Sequence, residues 1–497
     1  QIFPVLRRIV GLRNEKPGIF EPLSHFRSQF ILSPTGFLVY HLERAPACNT
    51  LETKANHSYG CTLLTTSTHQ QMRIHLKTLG CRLNEAEIEA WSRDFQALGH
   101  ELTQELNHAD LVVVNSCAVT GEAVRKSRKL IRRAQRNNPA AKLVVTGCYA
   151  SLDPAGSSGI DLIVNNRDKD RLVEIVSKQL NLHAMPEMAT EPGENSLLAR
   201  GRQRAFIKVQ DGCRHRCTFC VVTLARGEER SRPAAEVVDE INQLHADGLL
   251  EVVLTGVHIG GYGSEIGSSL FQLIQTILEE TRIPRIRLGS VEPWDLPENF
   301  WSLFENDRLM PHLHLPLQSG ADSVLRRMAR RCSSADFRQL VEQARQRVPG
   351  FCVTTDIMVG FPGETEEEWQ QTLAFVGQMQ FSHLHIFSYS PRPGTKAAEL
   401  PGQISKAQQK ERSQALYALG QQLKQANQQA NLGLELPVLI ESKTETNEKT
   451  AIWSGYTPNF LRVALRAPAG AALENQIRQV RLETLSEAGD HITASLL

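Results

Sequence analysis

Residues 211–220 read DGCRHRCTFC, with Cys213, Cys217 and Cys220 separated by three residues and then by two. Thiols this close together do not suit a relaxed disulfide framework. A structural zinc site wants four ligands, and no fourth cysteine is near. His215 lies between two of the cysteines, where one turn can hardly wrap all four donors. A cubane iron–sulfur cluster has four irons; three thiolates hold three of them and leave the last open to a substrate group. That is the chemistry the spacing predicts.

Working outward, the trio lies just beyond AFIKVQ, the first of six short apolar runs. The others are EVVLTGV, RIRLGSV, HLHLPL, VTTDIMVG and HLHIFSYS, with helical stretches between them. Six βα repeats predict an open, incomplete version of the eight-fold barrel, whose working residues sit at the carboxyl ends of the strands. At that rim the sequence offers Gly256 in TGVHIGGYG, Ser290 and Glu292 in SVEPWD, and Gln318 and Ser319 in PLQSG. Each alone could be a turn or cap residue, and together they make a candidate cofactor rim.

Upstream, RIHLKTLG, ADLVVVNS, AKLVVTG and DLIVNN alternate with helical stretches, which predicts a parallel sheet covered by helices. Cys81, Cys117 and Cys148 each follow one of these strands directly. The carboxyl ends of parallel strands lie on one edge, so thiols far apart in sequence can converge there. The expectation is a second cluster site. Cys332 and Cys352 have no such companions and read as packing residues; Cys48 and Cys61 receive no role.

The organisation follows from these blocks. Residues 1–71 lack sustained periodicity, precede the first methionine (Met72), and read as a disordered or non-native extension. Residues 72–182 form the first α/β domain, 183–203 a Pro/Gly/Glu-rich linker, and 204–432 the partial barrel with a trailing Gln/Ala-rich helix. Residues 433–497 carry five strand-like runs that suit a small β-barrel. The chain has 497 residues, 41% apolar content and a net charge of +1, so any nucleic-acid surface must be a local patch. No apolar run approaches the roughly 18 residues of a membrane span, and no signal-peptide pattern is seen, which points to the reducing cytoplasm.

The stretch around Cys213 resembles the radical-SAM superfamily, which commonly places an aromatic, here Phe219, against the adenine of S-adenosylmethionine. More specifically, TLGCRLN, VVNSCAVT and VVTGCYA look like the amino-terminal domain of the methylthiotransferases. DGCRHRCTFC followed by ARGEERSRP, PHLHLPLQSG and GFPGETEEEW look like their core, and the last segment resembles their TRAM domain. The resemblance covers residues 72–497. GCRLN, SPRPGTKAAELPGQ and WSGYTPNFLRV look most like the MtaB-type branch, which modifies tRNA; VVTLARG departs from the commoner pattern, which has a proline and an aromatic before ARG.

The resemblance implies two [4Fe-4S] clusters and S-adenosylmethionine, with all six cysteines as ligands and catalytic groups. It implies radical sulfur insertion at C2 of N6-threonylcarbamoyladenosine next to the anticodon, followed by methylation of that sulfur. The implied partners are a tRNA anticodon stem-loop, an electron donor such as a flavodoxin or ferredoxin, and a sulfur donor not identified; a monomer is expected. RNA contacts are expected from Arg125, Lys126, Arg128, Lys129 and Arg132 on a basic helix, from Arg226 and Arg232, and from Tyr456, Phe460 and Arg462. Two other readings stand beside this one: methylthiolation of a ribosomal-protein side chain, and a non-catalytic iron–sulfur RNA-binding sensor.

Overall fold

The computed structural model describes residues 26–32, 38–44, 71–153, 159–180, 182 and 203–497. The chain divides into two compact units, Gln1–Ser67 and Thr68–Leu497. In the first, β1 (Phe26–Leu32) pairs antiparallel with β2 (Leu38–Arg44). The remaining readings of residues 1–71 and of the linker fall almost entirely outside the described residues.

The second unit begins with a parallel sheet of β3 (Arg73–Thr78), β4 (Glu101–Leu102), β5 (Leu111–Ser116), β6 (Lys142–Gly147) and β7 (Leu162–Val164), in the order β4-β3-β5-β6-β7. The central strand β5 is buried along its whole length. Helices cover both faces, which is why these strands read as continuous apolar runs instead of alternating ones. The helix Arg82–Ala97 follows β3, Gly121–Asn137 follows β5, and the short helix Cys148–Leu152 follows β6.

The barrel domain has β8 (Arg204–Lys208), the short pair β9 (Gln210–Asp211) and β10 (Arg230–Ser231), then β11 (Glu251–Thr255), β12 (Arg285–Leu288), β13 (His312–His314), β14 (Cys352–Val359) and β15 (His383–Ser388). The six expected strands are parallel and in sequence order, but they form two three-stranded sheets, β8-β11-β12 and β13-β14-β15. β13 is only three residues long, so its seam with β12 is reduced to the bridges Ile286–Leu309 and Ser290–His314. β8 and β15 are the open edges. The helix Arg82–Ala97 covers the first of them: Glu89 accepts the backbone N–H of Phe206 at 3.1 Å, satisfying an edge donor. The helix Lys406–Ala430 packs along β15.

The last domain is a closed five-stranded barrel of β16 (Glu435–Thr446), β17 (Thr450–Tyr456), β18 (Arg462–Pro468), β19 (Gln476–Leu485) and β20 (Ile492–Leu496). β18 alternates buried Val463, Leu465 and Ala467 with more exposed neighbours, the period of two that a small barrel requires. Trp453 belongs to this core. The domain docks on the amino-terminal ends of the β8–β14 strands. Arg285 donates to the carbonyls of Tyr456 (2.9 Å) and Pro437 (2.5 Å), and Arg287 to those of Thr457 (2.8 Å) and Pro458 (2.7 Å). Among the described residues no helix is long and apolar enough to cross a membrane.

Candidate active site

Cys81, Cys117 and Cys148 emerge from the carboxyl ends of β3, β5 and β6, and their thiols lie within electrostatic reach of one another. Two glycines let the backbones approach. Gly80 has φ +119°, and a Cβ there would sit 2.9 Å from Cys117 Sγ; Gly147 has φ +99°, and a Cβ there would sit 2.1 Å from the Ser116 carbonyl. Only a residue without a side chain tolerates both the backbone angle and the contact. Ser127 fixes the Cys117 backbone by donating to its carbonyl and accepting from its N–H, each at 3.0 Å.

The second trio occupies the loop after β9. The Val222 N–H points at Cys220 Sγ (3.5 Å) and the Arg330 guanidinium at Cys217 Sγ (3.9 Å). Burial pushes Cys213 up to about 12 and Cys220 up to about 11. These thiols therefore keep their protons until a cation replaces them, the usual coupling of metal binding to proton release. Among the described residues, the donor groups close enough to grip one ion are Cys213/Glu229/His258 and His215/His258/Asp295. Neither cysteine trio is that compact. Wide-set thiols backed by glycine cradles and N–H donors fit a cubane cluster better than a single ion.

One short helix joins the two sites. Val222–Arg226 starts two residues after Cys220 and rises roughly 1.5 Å per residue. At its far end Arg226 donates to Asn84 Oδ1 at 2.8 Å, and Asn84 Oδ1 in turn lies 3.7 Å from Cys81 Sγ. One short helix and two polar side chains thus connect the trios. Arg226 also donates to Glu87 (3.0 Å) and Asp211 (2.9 Å), and Lys169 donates to Glu87 (2.7 Å) and Asn115 (3.0 Å). Burial alone would drive the Glu87 carboxyl up, but Arg226 and Lys169 hold it well below the usual range. Here the expectation for Arg226 is corrected. It is 2% exposed and bridges the two domains behind the cysteines, so it is no RNA-contacting surface. The hint in the sequence was polar residues inside apolar runs: Asn115 in LVVVNS and Asp211 in KVQDG.

A second buried network flanks Cys213. His258 Nδ1 meets Glu229 at 2.6 Å, His258 Nε2 meets Asp295 at 2.5 Å, and His215 Nε2 lies 2.9 Å from His258 Nε2. Burial alone would raise Asp295, but hydrogen bonds from His215 and His258 hold it at about 2. The glycines of TGVHIGGYG make room for this network. A Cβ on Gly260 would lie 2.6 Å from Asp295 Cβ, and one on Gly261 would lie 2.5 Å from His258 Nδ1. Gly256 likewise faces Gln210 and Ile259, so the room beside it is taken by the protein itself.

The other rim residues divide. Glu292 pairs bidentately with Arg330 (3.1 and 2.5 Å), and through it reaches the second trio. Arg330 also stacks over Trp294 at 4.3 Å, and neither Arg330 nor Trp294 was singled out from sequence. Gln318 is buried at φ +80° with its Oε1 lacking a partner, an orphan acceptor suited to a ligand donor. Ser290 is exposed, Ser319 bonds Thr372 at 3.1 Å, and Phe219 is half-buried against the Val324/Met328/Phe361 group.

Of the RNA candidates, Arg125, Lys126, Arg128, Lys129 and Arg132 are all exposed on one helix that starts just after Cys117. Thr120 caps that helix, and Lys126 and Arg128 are tied to Glu122 and Asp153. Arg232 is held by Glu240 at 2.6 Å. Tyr456 and Phe460 stack on one another at 4.9 Å but face the seam with the barrel domain, and Arg462 is exposed. Cys332 and Cys352 are buried packing residues.

Comparison with known proteins adds to this geometry. Residues 207–376 match the family model of the Radical SAM superfamily, and residues 73–162 that of Uncharacterized protein family UPF0004. The chain is 36% identical over 413 residues to threonylcarbamoyladenosine tRNA methylthiotransferase MtaB of Bacillus subtilis (strain 168), covering 79% of this chain and 90% of that protein. It is 34% identical over 426 residues to the MtaB of Thermotoga maritima, covering 84% and 95%. With the tRNA-2-methylthio-N(6)-dimethylallyladenosine synthase of Bacillus pumilus it shares 32% identity over 416 residues, covering 80% and 82%.

Proposed function

Because this chain belongs to the MtaB family of radical-SAM tRNA methylthiotransferases, we propose that it converts N6-threonylcarbamoyladenosine, next to the anticodon of tRNA, to its 2-methylthio derivative. The observation that carries the reading is the pair of three-cysteine sites placed one short helix apart. Cys81, Cys117 and Cys148 would hold one [4Fe-4S] cluster, and Cys213, Cys217 and Cys220 the other, with S-adenosylmethionine beside the second. When bound, these groups supply one-electron cleavage of S-adenosylmethionine and the sulfur and methyl group that end on adenine C2.

The protein's own contribution is position and charge. Gly80 and Gly147 admit the first trio's backbones, and Arg226 puts a fixed positive charge beside Cys81 and Cys148. The Val222 N–H and Arg330 turn donors toward the second trio, while the pairing with Glu292 fixes where Arg330 points. Phe219, Glu292 and Gln318 are the residues nearest to a role in holding S-adenosylmethionine. To the exposed basic helix, Gly121–Asn137, we assign contacts with phosphates of the anticodon stem-loop, a reading supported by its exposed Arg and Lys side chains. We assign the electron supply to a small flavodoxin or ferredoxin, leave the sulfur donor open, and place the protein in the cytoplasm as a monomer.

The test is chemical. Anaerobically reconstituted protein is given S-adenosylmethionine, a low-potential reductant and tRNA bearing the threonylcarbamoyl modification, and the nucleosides are read by mass spectrometry. A gain of one methylthio group on that nucleoside is expected. Methylthiolation confined to ribosomal protein, or iron binding without release of 5′-deoxyadenosine, refutes the reading.

A further inference from the structure

A cavity of about 400 Å³ lies where three parts of the molecule meet: the start of the helix Arg82–Ala97, the inner face of the barrel strands, and the Tyr456–Phe460 corner of the small barrel. Its polar balance is unusual. Arg204 is paired with Glu441 (2.6 Å) and Arg287 with Glu251 (2.9 Å). Arg82, the residue after Cys81, lines the same space with its guanidinium 6.0 Å over the Phe206 ring. Among the described residues no carboxylate lies within ion-pair distance of it. Its side chain is exposed, and the nearest acidic influences on it are Glu85, which lines the same space, and Glu251.

A second group in the wall is also unsatisfied. His312 is 3% exposed, bonds Thr354 through Nε2 at 3.2 Å, and leaves Nδ1 without a partner. Phe460 stacks on the His312 ring at 4.8 Å while held at φ +71°, a backbone region that an aromatic residue rarely adopts. The cavity is therefore an aromatic-floored space bordered by a guanidinium that forms no ion pair among the described residues and by a histidine whose enclosed Nδ1 has no hydrogen-bond partner.

We infer that this cavity receives the N6 substituent of the modified adenine, with Arg82 pairing its carboxylate and His312 bonding its polar ureido or hydroxyl group. The inference rests on the function proposed above. In adenine, C2 and N6 flank N1 on one edge of the ring, so a base presented with C2 toward the Cys81 site projects its N6 substituent along the same side. The threonylcarbamoyl group carries a carboxylate, a hydroxyl and a urea, which match the unpaired groups. A dimethylallyl group carries none of these and would leave Arg82 and His312 unpaired, the situation in which polar sites discriminate most strongly. Arg82 is thus a specificity residue.

The experiment uses the full reconstituted chain and three anticodon stem-loops. They carry N6-threonylcarbamoyladenosine, the same nucleoside with its carboxylate converted to a carboxamide, and N6-dimethylallyladenosine. Wild-type protein should favour the acid over the amide by roughly 10–100-fold in kcat/KM, the range of one charge-assisted hydrogen-bonded pair. In Arg82→Gln that acid-to-amide ratio should fall to about one, with iron content and both cluster signals retained. Equal use of acid and amide by the wild type overturns the inference, as does an Arg82→Gln loss of the same size on both loops. Should Arg82→Gln lose iron, stem-loop binding by His312→Phe decides: weakened preference for the acid-bearing loop over the dimethylallyl loop supports the assignment, and unchanged preference refutes it. Turnover of the dimethylallyl loop alone overturns the proposed function as well, so the two failures are distinct.

Discussion

The two cysteine sites are built in opposite ways. Cys213, Cys217 and Cys220 come from one loop of eight residues, so their proximity is nearly guaranteed by chain connectivity. Cys81, Cys117 and Cys148 come from three strands and converge only because β3, β5 and β6 are parallel and in register. A local site survives small shifts of the scaffold, whereas one assembled across a sheet inherits every error in strand packing. Gly80 and Gly147 are the signs of that dependence, since each clears a specific contact between neighbouring strands.

The largest expected effect separates the sites by chemistry. Cys117→Ala should abolish methylthiolated product and remove about four irons, yet keep reductive cleavage of S-adenosylmethionine. Cys217→Ala should lose both activities. Product mass spectrometry and 5′-deoxyadenosine release read the two outcomes, and deoxyadenosine release lost equally in both variants would break the division.

Next comes the link between the regions. Arg226→Met takes from the buried Glu87 and Asp211 the one cation that bonds both, leaving Lys169 on Glu87 and Lys208 on Asp211, so unfolding by urea should lose about 2 kcal/mol. Because Arg226 also stands beside Cys81, iron loss should fall on the first trio before the second. A purely local effect on the second trio would contradict the bridging role.

Gly80→Ala sharpens the contrast further. The added Cβ must push Cys117 away and hold a strained backbone angle, at a cost of roughly 1–3 kcal/mol. Iron at the first trio should fall severalfold while the electron paramagnetic resonance signal of the second stays intact.

The smallest effect lies away from both sites and serves as a control. The helix Glu366–Met379 carries a capping box in which Thr365 and Glu368 satisfy each other's backbone donors. Chiefly through its hydrogen bonds from Arg327, Glu368 is held at about 2. Its folded pKa lies below the ordinary carboxylate value, so its contribution is complete above roughly pH 4.3 and is lost as pH falls through about 2. Glu368→Gln, which can keep the capping box but loses the Arg327 ion pair, should cost about 1 kcal/mol at neutral pH, flatten the acid limb of the stability curve, and leave both cluster signals unchanged.

How much was readable in advance follows the same division. The loop trio and the alternation of strands and helices depend on neighbours in the chain, and spacing reports them directly. Cys81, Cys117 and Cys148 were legible because each follows an apolar run, an indirect signal that parallel topology turns into a site. Arg226 was misread because a basic residue near a motif carries no record of its own burial. Its partners Glu87 and Asp211 lie 139 and 15 residues away. Arg82 and His312 escaped notice for a related reason: an unpaired group is recognised only when every neighbour that could pair with it is known.

Sequence alone settled the element types, the six parallel repeats, the small terminal barrel and the two sets of three thiols, because hydrophobic period and ligand spacing are local properties. Tertiary structure alone decided that Arg226 is an inner bridge and not an RNA contact. It also decided that the glycines of TGVHIGGYG shelter His258 and Asp295, and that Arg82 lines a cavity with no carboxylate in ion-pair distance among the described residues. Those facts depend on burial and on long-range pairing, and the free energy of a charge is set by what surrounds it in space.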